Sequence, residues 1–85
     1  DEANKSRFVA RILINALNEP GTLATVAQCV ARLDINIRVL NMIRIATDFT
    51  EMGIDLEVWD LRQLSQLLGE LKELDCISTV KRVYD

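Results

Sequence analysis

The residue types that most often carry chemistry are scarce in this chain. Its 85 residues include no histidine and only two cysteines, Cys29 and Cys76, which lie far apart in the sequence. Histidine is the commonest general base near neutral pH, so its absence removes serine- and cysteine-type triads together with histidine metal sites. Two thiols alone make a poor metal site. We therefore expect no catalytic residue, no metal and no cofactor, and two reduced cysteines that pack as small apolar side chains.

One short stretch is a candidate for binding rather than catalysis. Residues 18–23, NEPGTL, place the only proline of the chain beside one of its three glycines. Proline presets φ and glycine permits a bend, so a tight turn is enough to explain the pair. Gly21 would also let a ligand approach the backbone, and the helix that follows would offer free N–H groups to a carboxylate. A simple turn and a pocket for a small polar ligand both remain open.

Length and composition limit what can position such a site. Eighty-five residues form one domain with a single core, and 49% apolar but only 5% aromatic residues make that core mostly Leu, Ile, Val and Ala. The net charge of −3 argues against non-specific binding of nucleic acid. Neither a membrane-length apolar run nor a signal peptide is present, so we expect a cytoplasmic protein without membrane contact. Residues 1–6 are predicted to be a linker or an expression remnant, and residues 7–85 the domain.

Hydrophobic periodicity predicts six elements. A period of two predicts strands, and the helical spacing of apolar residues predicts two helices. Asp60 is the expected N-cap of the second helix, with Gln63 completing a capping box. The predicted elements are strands over 7–17, 36–45, 49–58 and 77–84, and helices over 22–33 and after Asp60. The apolar stripes expected to face inward are Leu23, Val26, Ala27, Val30 and Leu33 on the first helix, and Leu61, Leu64, Leu67, Leu68, Leu71 and Leu74 on the second.

The order β-α-β-β-α-β predicts an α+β, ferredoxin-like fold. It has a four-stranded antiparallel sheet in the order 4-1-3-2, with both helices on one face. On the outer face, arginines of the first strand are expected beside carboxylates of the third, and this pairing would fix the register first and serve a partner second. The charged residues concerned are Arg7, Arg11, Glu51, Asp55 and Glu57. Val9, Leu13 and either Leu40 or Ile43, depending on register, would lie among them.

The same features resemble a known family. The βαββαβ order, the turn N-x-P-G-x-L and the pair Asn36-Ile37 at the start of the second strand resemble the ACT domain over about residues 7–84. The family consists of small regulatory modules that bind amino acids or other small effectors, usually as dimers.

A narrower resemblance covers the third strand and the second helix. The segment DFTEMGIDLEVWDLRQL and the closing TVKRVY are similar to the C-terminal ACT domain of RelA/SpoT-homologue proteins, alphaproteobacterial ones in particular. Those proteins are bifunctional guanosine tetra- and pentaphosphate synthetase/hydrolases. Their catalytic domains lie upstream, so the resemblance carries no catalytic residue to this chain.

The ACT resemblance also implies where a ligand would bind. In that family effectors lie at a dimer interface, between the turn after strand one of one subunit and the start of strand two of the other. The implied ligand-binding residues are Asn18, Gly21, Leu23, Asn36 and Ile37. Leu23 and Ile37 would form an apolar wall suited to valine or isoleucine, whereas Ala16 argues against serine. Glu19 would oppose a ligand carboxylate unless it points outward.

Two functions follow, with a third disfavoured. The first is a homodimeric regulatory module that senses an amino acid and biases the two opposed activities of its parent enzyme. The second is a docking module without a small ligand. It would bind the catalytic half of the parent, a phosphotransfer-type regulatory protein or the tRNA–ribosome complex through the outer face around Arg11, Leu13 and Arg44. An acylphosphatase-like enzyme is disfavoured because its phosphate loop needs arginine where this turn has glutamate.

Overall fold

The six predicted elements are present in the computed structural model, which describes residues 7–84; the linker predicted over residues 1–6 lies outside the described residues. The elements are β1 (Phe8–Leu17), α1 (Thr22–Arg32), β2 (Asn36–Ile45), β3 (Phe49–Val58), α2 (Leu61–Lys72) and β4 (Ile77–Val83). The strands form one antiparallel sheet in the order β2-β3-β1-β4. The predicted ferredoxin-like fold is confirmed, and every element end that was predicted by number is observed within one residue. The second helix, for which only the start was predicted, ends at Lys72, two residues before the last residue of its predicted stripe, Leu74.

The core lies between one face of the sheet and the two helices. Every second residue is buried along β1 from Ala10 to Ala16 and along β3 from Thr50 to Val58, and the helices cover them. The side chains that are at most 2% exposed are Ala10, Ile12, Ile14, Ala16, Val26, Cys29, Val30, Met52, Ile54, Leu56, Val58, Leu64, Leu67 and Leu71. Burial of this apolar surface is the main force that holds the sheet and helices together.

The inward face of α1 differs from the prediction. Its buried residues are Thr22, Val26, Cys29 and Val30, whereas Leu23 is 45% exposed. The apolar spacing allowed either side of Val26 to face inward. Because α1 also packs against α2, the side that carries Cys29 turns inward and Leu23 turns away. The predicted place of Leu23 in the core is therefore wrong.

The start of α2 is held by three hydrogen bonds. Asp60 Oδ1 accepts from the backbone N–H of Gln63 at 2.8 Å, and Gln63 Oε1 accepts from the N–H of Trp59 at 2.7 Å. The Gln63 amide group also donates to the carbonyl of Leu33 at 2.9 Å, which ties α2 to the end of α1. The predicted N-cap, Asp60, is confirmed, whereas the predicted capping box is altered because Gln63 accepts from Trp59 instead of from the N–H of Asp60. Leu61 is 61% exposed, so its predicted inward position is wrong: as the first helical residue it lies ahead of the buried stripe.

The outer sheet face carries the predicted charge pairs. Arg11 forms a two-pronged contact with Asp55, Nε to Oδ1 at 2.7 Å and Nη2 to Oδ2 at 3.2 Å. Glu57 lies 3.9 Å from Arg7 and 3.6 Å from Arg38. These pairs join β1, β2 and β3 across the face that no helix covers.

Register on β2 is decided by two irregularities, between Ile37 and Val39 and between Met42 and Arg44. Leu40 consequently packs against the core. Ile43 lies on the outer face, where its Cδ1 is 3.3 Å from the position a Cβ would take at Gly53. Of the two alternatives for the outer face, Ile43 is the one observed.

The Arg11–Asp55 contact makes stability depend on pH. The hydrogen bond from Arg11 lowers the pKa of Asp55 below its ordinary value. A carboxylate with a lowered folded-state pKa stabilises the fold above the unfolded pKa of about 3.9, and this contribution is lost as pH falls through the folded-state pKa. We therefore expect the free energy of unfolding to fall further between pH 6 and pH 3 in the native chain than in Arg11→Gln. The difference between the two decreases should be less than about 1 kcal/mol, because the ion pair is exposed. Urea unfolding at both pH values measures this, with Arg62→Gln as control; equal losses in native and Arg11→Gln proteins would contradict it.

Candidate ligand site at the β1–α1 turn

A small cavity lies where β1 ends and α1 begins. Its volume is about 80 Å³, and its lining residues are Leu17, Asn18, Glu19, Thr22, Leu23, Met42, Thr50 and Met52. Met52 is buried, while Leu23 and Met42 are exposed at the rim. The cavity therefore combines an apolar floor with polar groups from the turn.

Asn18 holds the turn in place. Its side-chain amide donates to the carbonyl of Ala46 at 2.7 Å and more weakly to that of Thr47 at 3.4 Å. Its backbone N–H donates to the carbonyl of Asp48 at 3.1 Å. These bonds join the β1–α1 turn to the β2–β3 turn, so the donors of Asn18 are occupied within the chain. The amide oxygen is the part of this side chain that suits a ligand, as an acceptor.

Gly21 sets the direction in which α1 begins. It is the N-cap, with a left-handed φ of 88°, and it provides no side-chain cap. The first turn of α1 contains no acidic residue. In the first turn of a helix the backbone N–H groups have no intrahelical partner, so those of Leu23 and Ala24 are suited to a carboxylate.

Two buried threonines belong to the same cavity, and sequence reasoning missed them. Thr22 and Thr50 are each 6% exposed. Among residues 7–84, no group hydrogen-bonds to the buried hydroxyl oxygen of Thr22. A buried hydroxyl without a partner is costly, and it is expected to find one in a ligand or a water. The signal that would have found Thr22 is its spacing of four residues before Val26, on the inward side of α1.

Asn36 and Ile37 lie at the other end of the sheet. Asn36 pairs with Glu57 and donates to its carboxylate at 3.2 Å, and Ile37 packs at the edge of the core. The far end of β2, Ile45, pairs with Thr50 beside the cavity, and nine residues of strand span about 30 Å. One copy of the chain brings Asn18, Gly21 and Leu23 together but keeps Asn36 and Ile37 away from them.

Within residues 7–84 the Cys29 thiol is buried and no metal cluster is found. Both cysteines are free, as predicted, and burial raises the pKa of the Cys29 thiol, which keeps it protonated. Residues 7–84 contain no group of three or more acidic, cysteine or histidine side chains placed to share a metal ion. Within the same range no helix is long and apolar enough to cross a membrane.

Comparison with known families identifies the module. The family model of the ACT domain matches residues 4–82. The chain belongs to the ACT domain family. The resemblance drawn from the turn and the start of β2 is thus confirmed. As an ACT domain the chain is a regulatory module and is not catalytic by itself.

The relatives of this ACT domain support the narrower resemblance. It is 51% identical over 83 residues to proteins named GTP pyrophosphokinase rsh in Brucella ovis and Brucella suis. The match takes in 98% of this chain but 11% of each relative, so the chain spans about a ninth of their length. The predicted RelA/SpoT-type resemblance is confirmed at this level.

Solved structures confirm the fold. The ACT domain of a GTP pyrophosphokinase from Chlorobium tepidum superimposes with a TM-score of 0.79 at 20% identity, covering 92% of this chain and all of that one. A homoserine dehydrogenase from Thiobacillus denitrificans contains a similar region, with a TM-score of 0.75 at 16% identity over 91% of this chain and 17% of the dehydrogenase. At these identities the likeness concerns the fold alone.

Proposed function

We propose that this ACT domain binds a small aliphatic amino acid, valine or isoleucine, and thereby regulates a cytoplasmic RelA/SpoT-type enzyme. The ligand would bias that enzyme between synthesis and hydrolysis of guanosine tetraphosphate. The observation that carries the proposal is the cavity at the β1–α1 turn. There the buried Thr22 hydroxyl, which has no partner among residues 7–84, lies beside the start of α1, which has no side-chain cap.

The polar groups of the turn match the two charges of an amino acid. The ligand carboxylate accepts from the first-turn N–H groups of α1 and from the Thr22 hydroxyl. The ligand ammonium faces the Glu19 carboxylate and the amide oxygen of Asn18, so Glu19 helps rather than opposes binding. An aliphatic side chain then contacts Leu23 and Met42, and a serine hydroxyl would find no polar partner there.

The size of the cavity argues for a second copy of the chain. Pockets that enclose a drug-sized ligand measure about 300–1,000 Å³, far more than the cavity at the turn. The turn therefore supplies half a site. In a twofold dimer whose axis runs across the strands, opposite ends of the two copies lie side by side, and the start of β2 of the second copy, with Asn36 and Ile37, completes the site.

Regulation follows from linkage. A ligand shifts a domain arrangement only if its affinity differs between the arrangements. A site shared by two copies meets that condition, because it exists only when the copies are paired. Pairing of this domain would then alter its contact with the catalytic half of the parent chain.

The first test is a titration of the 85-residue chain with valine, isoleucine and serine, followed by amide chemical shifts. We expect saturable shifts at Asn18, Gly21 and Asn36 with valine or isoleucine at millimolar concentration, and weaker binding of serine. Asn36→Ala removes a hydrogen bond to a charged group and should raise Kd about tenfold, equivalent to about 1.4 kcal/mol. Asn41→Ala, in the middle of the same strand, is the matched control and should change Kd less than about twofold. No saturable shift at the three residues would refute the sensing function.

The second test asks whether two copies share each site. Thr22→Val damages the turn half and Asn36→Ala the strand half, so each variant alone should bind poorly. Mixed in equal amounts, they form heterodimers in which one of two sites is intact, and about one quarter of all sites should recover full affinity. No recovery on mixing, in samples shown to be dimeric by sedimentation, would mean that Thr22 of one copy and Asn36 of the other do not form a shared site.

Docking through the outer sheet face is the second candidate. Val39 and Ile43 are exposed there beside the Arg11–Asp55 pair, a mixture of apolar and charged groups that suits a protein surface. The partner would be the catalytic half of the parent, a phosphotransfer-type protein or the tRNA–ribosome complex. Charge reversal at Arg11 and Arg44 would then abolish regulation in the parent enzyme while valine binding stays intact.

A further inference from the structure

The two methionines of the chain are neighbours in the sheet but differ in exposure. Met42 of β2 pairs with Met52 of β3, so both side chains start from the helix-covered face. Met52 is 1% exposed in the core, whereas Met42 is 40% exposed on the edge strand. Both line the cavity at the β1–α1 turn. One thioether therefore belongs to a side chain that water and small solutes reach, and the other is shielded.

The open position of Met42 follows from how α1 lies on the sheet. The helix buries Thr22 and Val26, and Leu23, which is 45% exposed, turns away from the core. Leu23 and Met42 thus both lie at the rim of the cavity. Ile45, further along β2, is 66% exposed, so the end of this edge strand extends beyond the cover of the helices. A small oxidant therefore reaches the Met42 side chain without any opening of the core.

An exposed methionine is open to oxidation to the sulfoxide. Hydrogen peroxide is a sufficient oxidant. Its O–O bond breaks, an S–O bond forms at the thioether, and the remaining oxygen leaves as water. The sulfur gives up two electrons and the peroxide takes them up. The product is a polar side chain with a strong hydrogen-bond acceptor in place of a flexible apolar one.

The cavity holds a donor that suits this acceptor. The Thr22 hydroxyl is buried, belongs to the same cavity as Met42 and has no hydrogen-bond partner among residues 7–84. A buried hydroxyl without a partner is costly, so a bond from Thr22 to the sulfoxide oxygen would stabilise the oxidised form. The added oxygen would also take up space in a cavity of only about 80 Å³. Oxidation thus uses the donor and the room that a ligand carboxylate needs.

We propose that Met42 is an oxidation site and that its sulfoxide closes the cavity at the β1–α1 turn. One part of this inference rests on the proposed function: where the cavity binds valine or isoleucine, the sulfoxide lowers its affinity for them. A bound amino acid that contacts Met42 in turn shields the thioether from peroxide. Methionine sulfoxide can be reduced enzymatically, so the block is reversible.

The first measurement compares the oxidation rates of the two methionines in the 85-residue chain. A related ACT domain has been solved in isolation in solution, which supports work on the domain alone. After treatment with hydrogen peroxide, the tryptic peptides 39–44 and 45–62 report Met42 and Met52 separately by mass spectrometry, and both cysteines lie in other peptides. We expect Met42 to gain oxygen about tenfold faster than Met52, because oxidation follows exposure. Equal rates in the folded chain would overturn the proposal.

The second measurement asks what the sulfoxide does to the cavity. On oxidation, the amide signals of Thr22 and Leu23 should shift, and the Kd for valine should rise about tenfold as the hydroxyl donor is lost to the ligand. Met52→Leu, a change that conserves volume in the core, should show the same rise. Met42→Leu has no thioether at the rim, so peroxide should not change its Kd, whatever the starting value. This variant retains both cysteines, and an effect of thiol oxidation would persist in it.

The readouts separate this inference from the proposed function. A native chain that never binds valine refutes the sensing function, and the Thr22 signal then decides alone whether the sulfoxide closes the cavity. A shift at Thr22 that is absent from peroxide-treated Met42→Leu supports closure. Valine binding that survives complete oxidation of Met42, or oxidation of Met42 without a shift at Thr22, overturns it.

Discussion

Replacing Ile54 by alanine is expected to lower the free energy of unfolding by about 2–5 kcal/mol, a large part of the roughly 5–15 kcal/mol that a small domain has. Ile54 is 0% exposed in the inner strand β3, and it pairs with Ile12 on one side and Leu40 on the other. Truncation leaves a cavity in the middle of the sheet that neighbouring strands cannot close. Urea unfolding followed by the fluorescence of the single tryptophan, Trp59, measures the loss.

Ile45→Ala is the matched control for this prediction. It makes the same chemical change in the same sheet, but Ile45 is 66% exposed at the end of the edge strand β2. Exposed substitutions usually change stability by no more than about 0.5 kcal/mol. Similar losses at the two positions would mean that the helix-covered face of the sheet is not the main source of stability.

The sheet and its helices could be predicted from sequence because their signals are local. Alternation along β1 and β3 identifies the buried face directly, since a shift of one residue would expose every apolar side chain of the strand. Asp60 and Gln63 identify the start of α2 because capping needs only neighbouring residues. Antiparallel neighbours and right-handed connections then leave few possible topologies for six elements.

What sequence could not decide depends on contacts between elements. The spacing on α1 fits either Leu23 or Thr22 facing inward, and the structure buries Thr22 beside Thr50 and Met52. The outer position of Ile43 depends on two irregularities of β2 that no turn residue marks. The family resemblance implies Asn18 as a ligand contact, but its side-chain donors bond to the β2–β3 turn, 28 residues further along the chain.

In the candidate site, too, some features follow from neighbouring residues and others depend on distant contacts. The turn and the helix start were predicted from one hexapeptide, NEPGTL, because proline and glycine act on the backbone where they stand. The participation of Asn36 and Ile37 depends on an arrangement of two copies, and the roughly 30 Å that separates them from the turn within one copy is what makes the second copy necessary. The experiment that mixes Thr22→Val with Asn36→Ala therefore tests the part of the site that neighbouring residues cannot predict, the contribution of a second copy.

Alanine substitutions at two glycines should change stability in opposite directions. At both Gly21 and Gly69 an added Cβ would lie more than 4 Å from every atom of residues 7–84 other than its chain neighbours and the adjacent helix backbone, so overlap with packed side chains plays no part at either position. Gly21 has a φ of 88°, where a Cβ costs about 1–2 kcal/mol, and alanine is also a poor N-cap. Gly69 lies within α2 without a positive φ, and alanine there should stabilise by about 0.5–1 kcal/mol.

The contrast between these two variants isolates backbone conformation as the role of Gly21. Urea unfolding should show a difference of about 2 kcal/mol between Gly21→Ala and Gly69→Ala, although both changes add one methyl group in open space. Valine binding should weaken in Gly21→Ala alone, because a strained start of α1 moves the N–H groups that face the ligand carboxylate. If Gly21→Ala instead proves as stable as the native chain, the turn tolerates a side chain, and the proline–glycine pair would have to be explained by the ligand rather than by the bend.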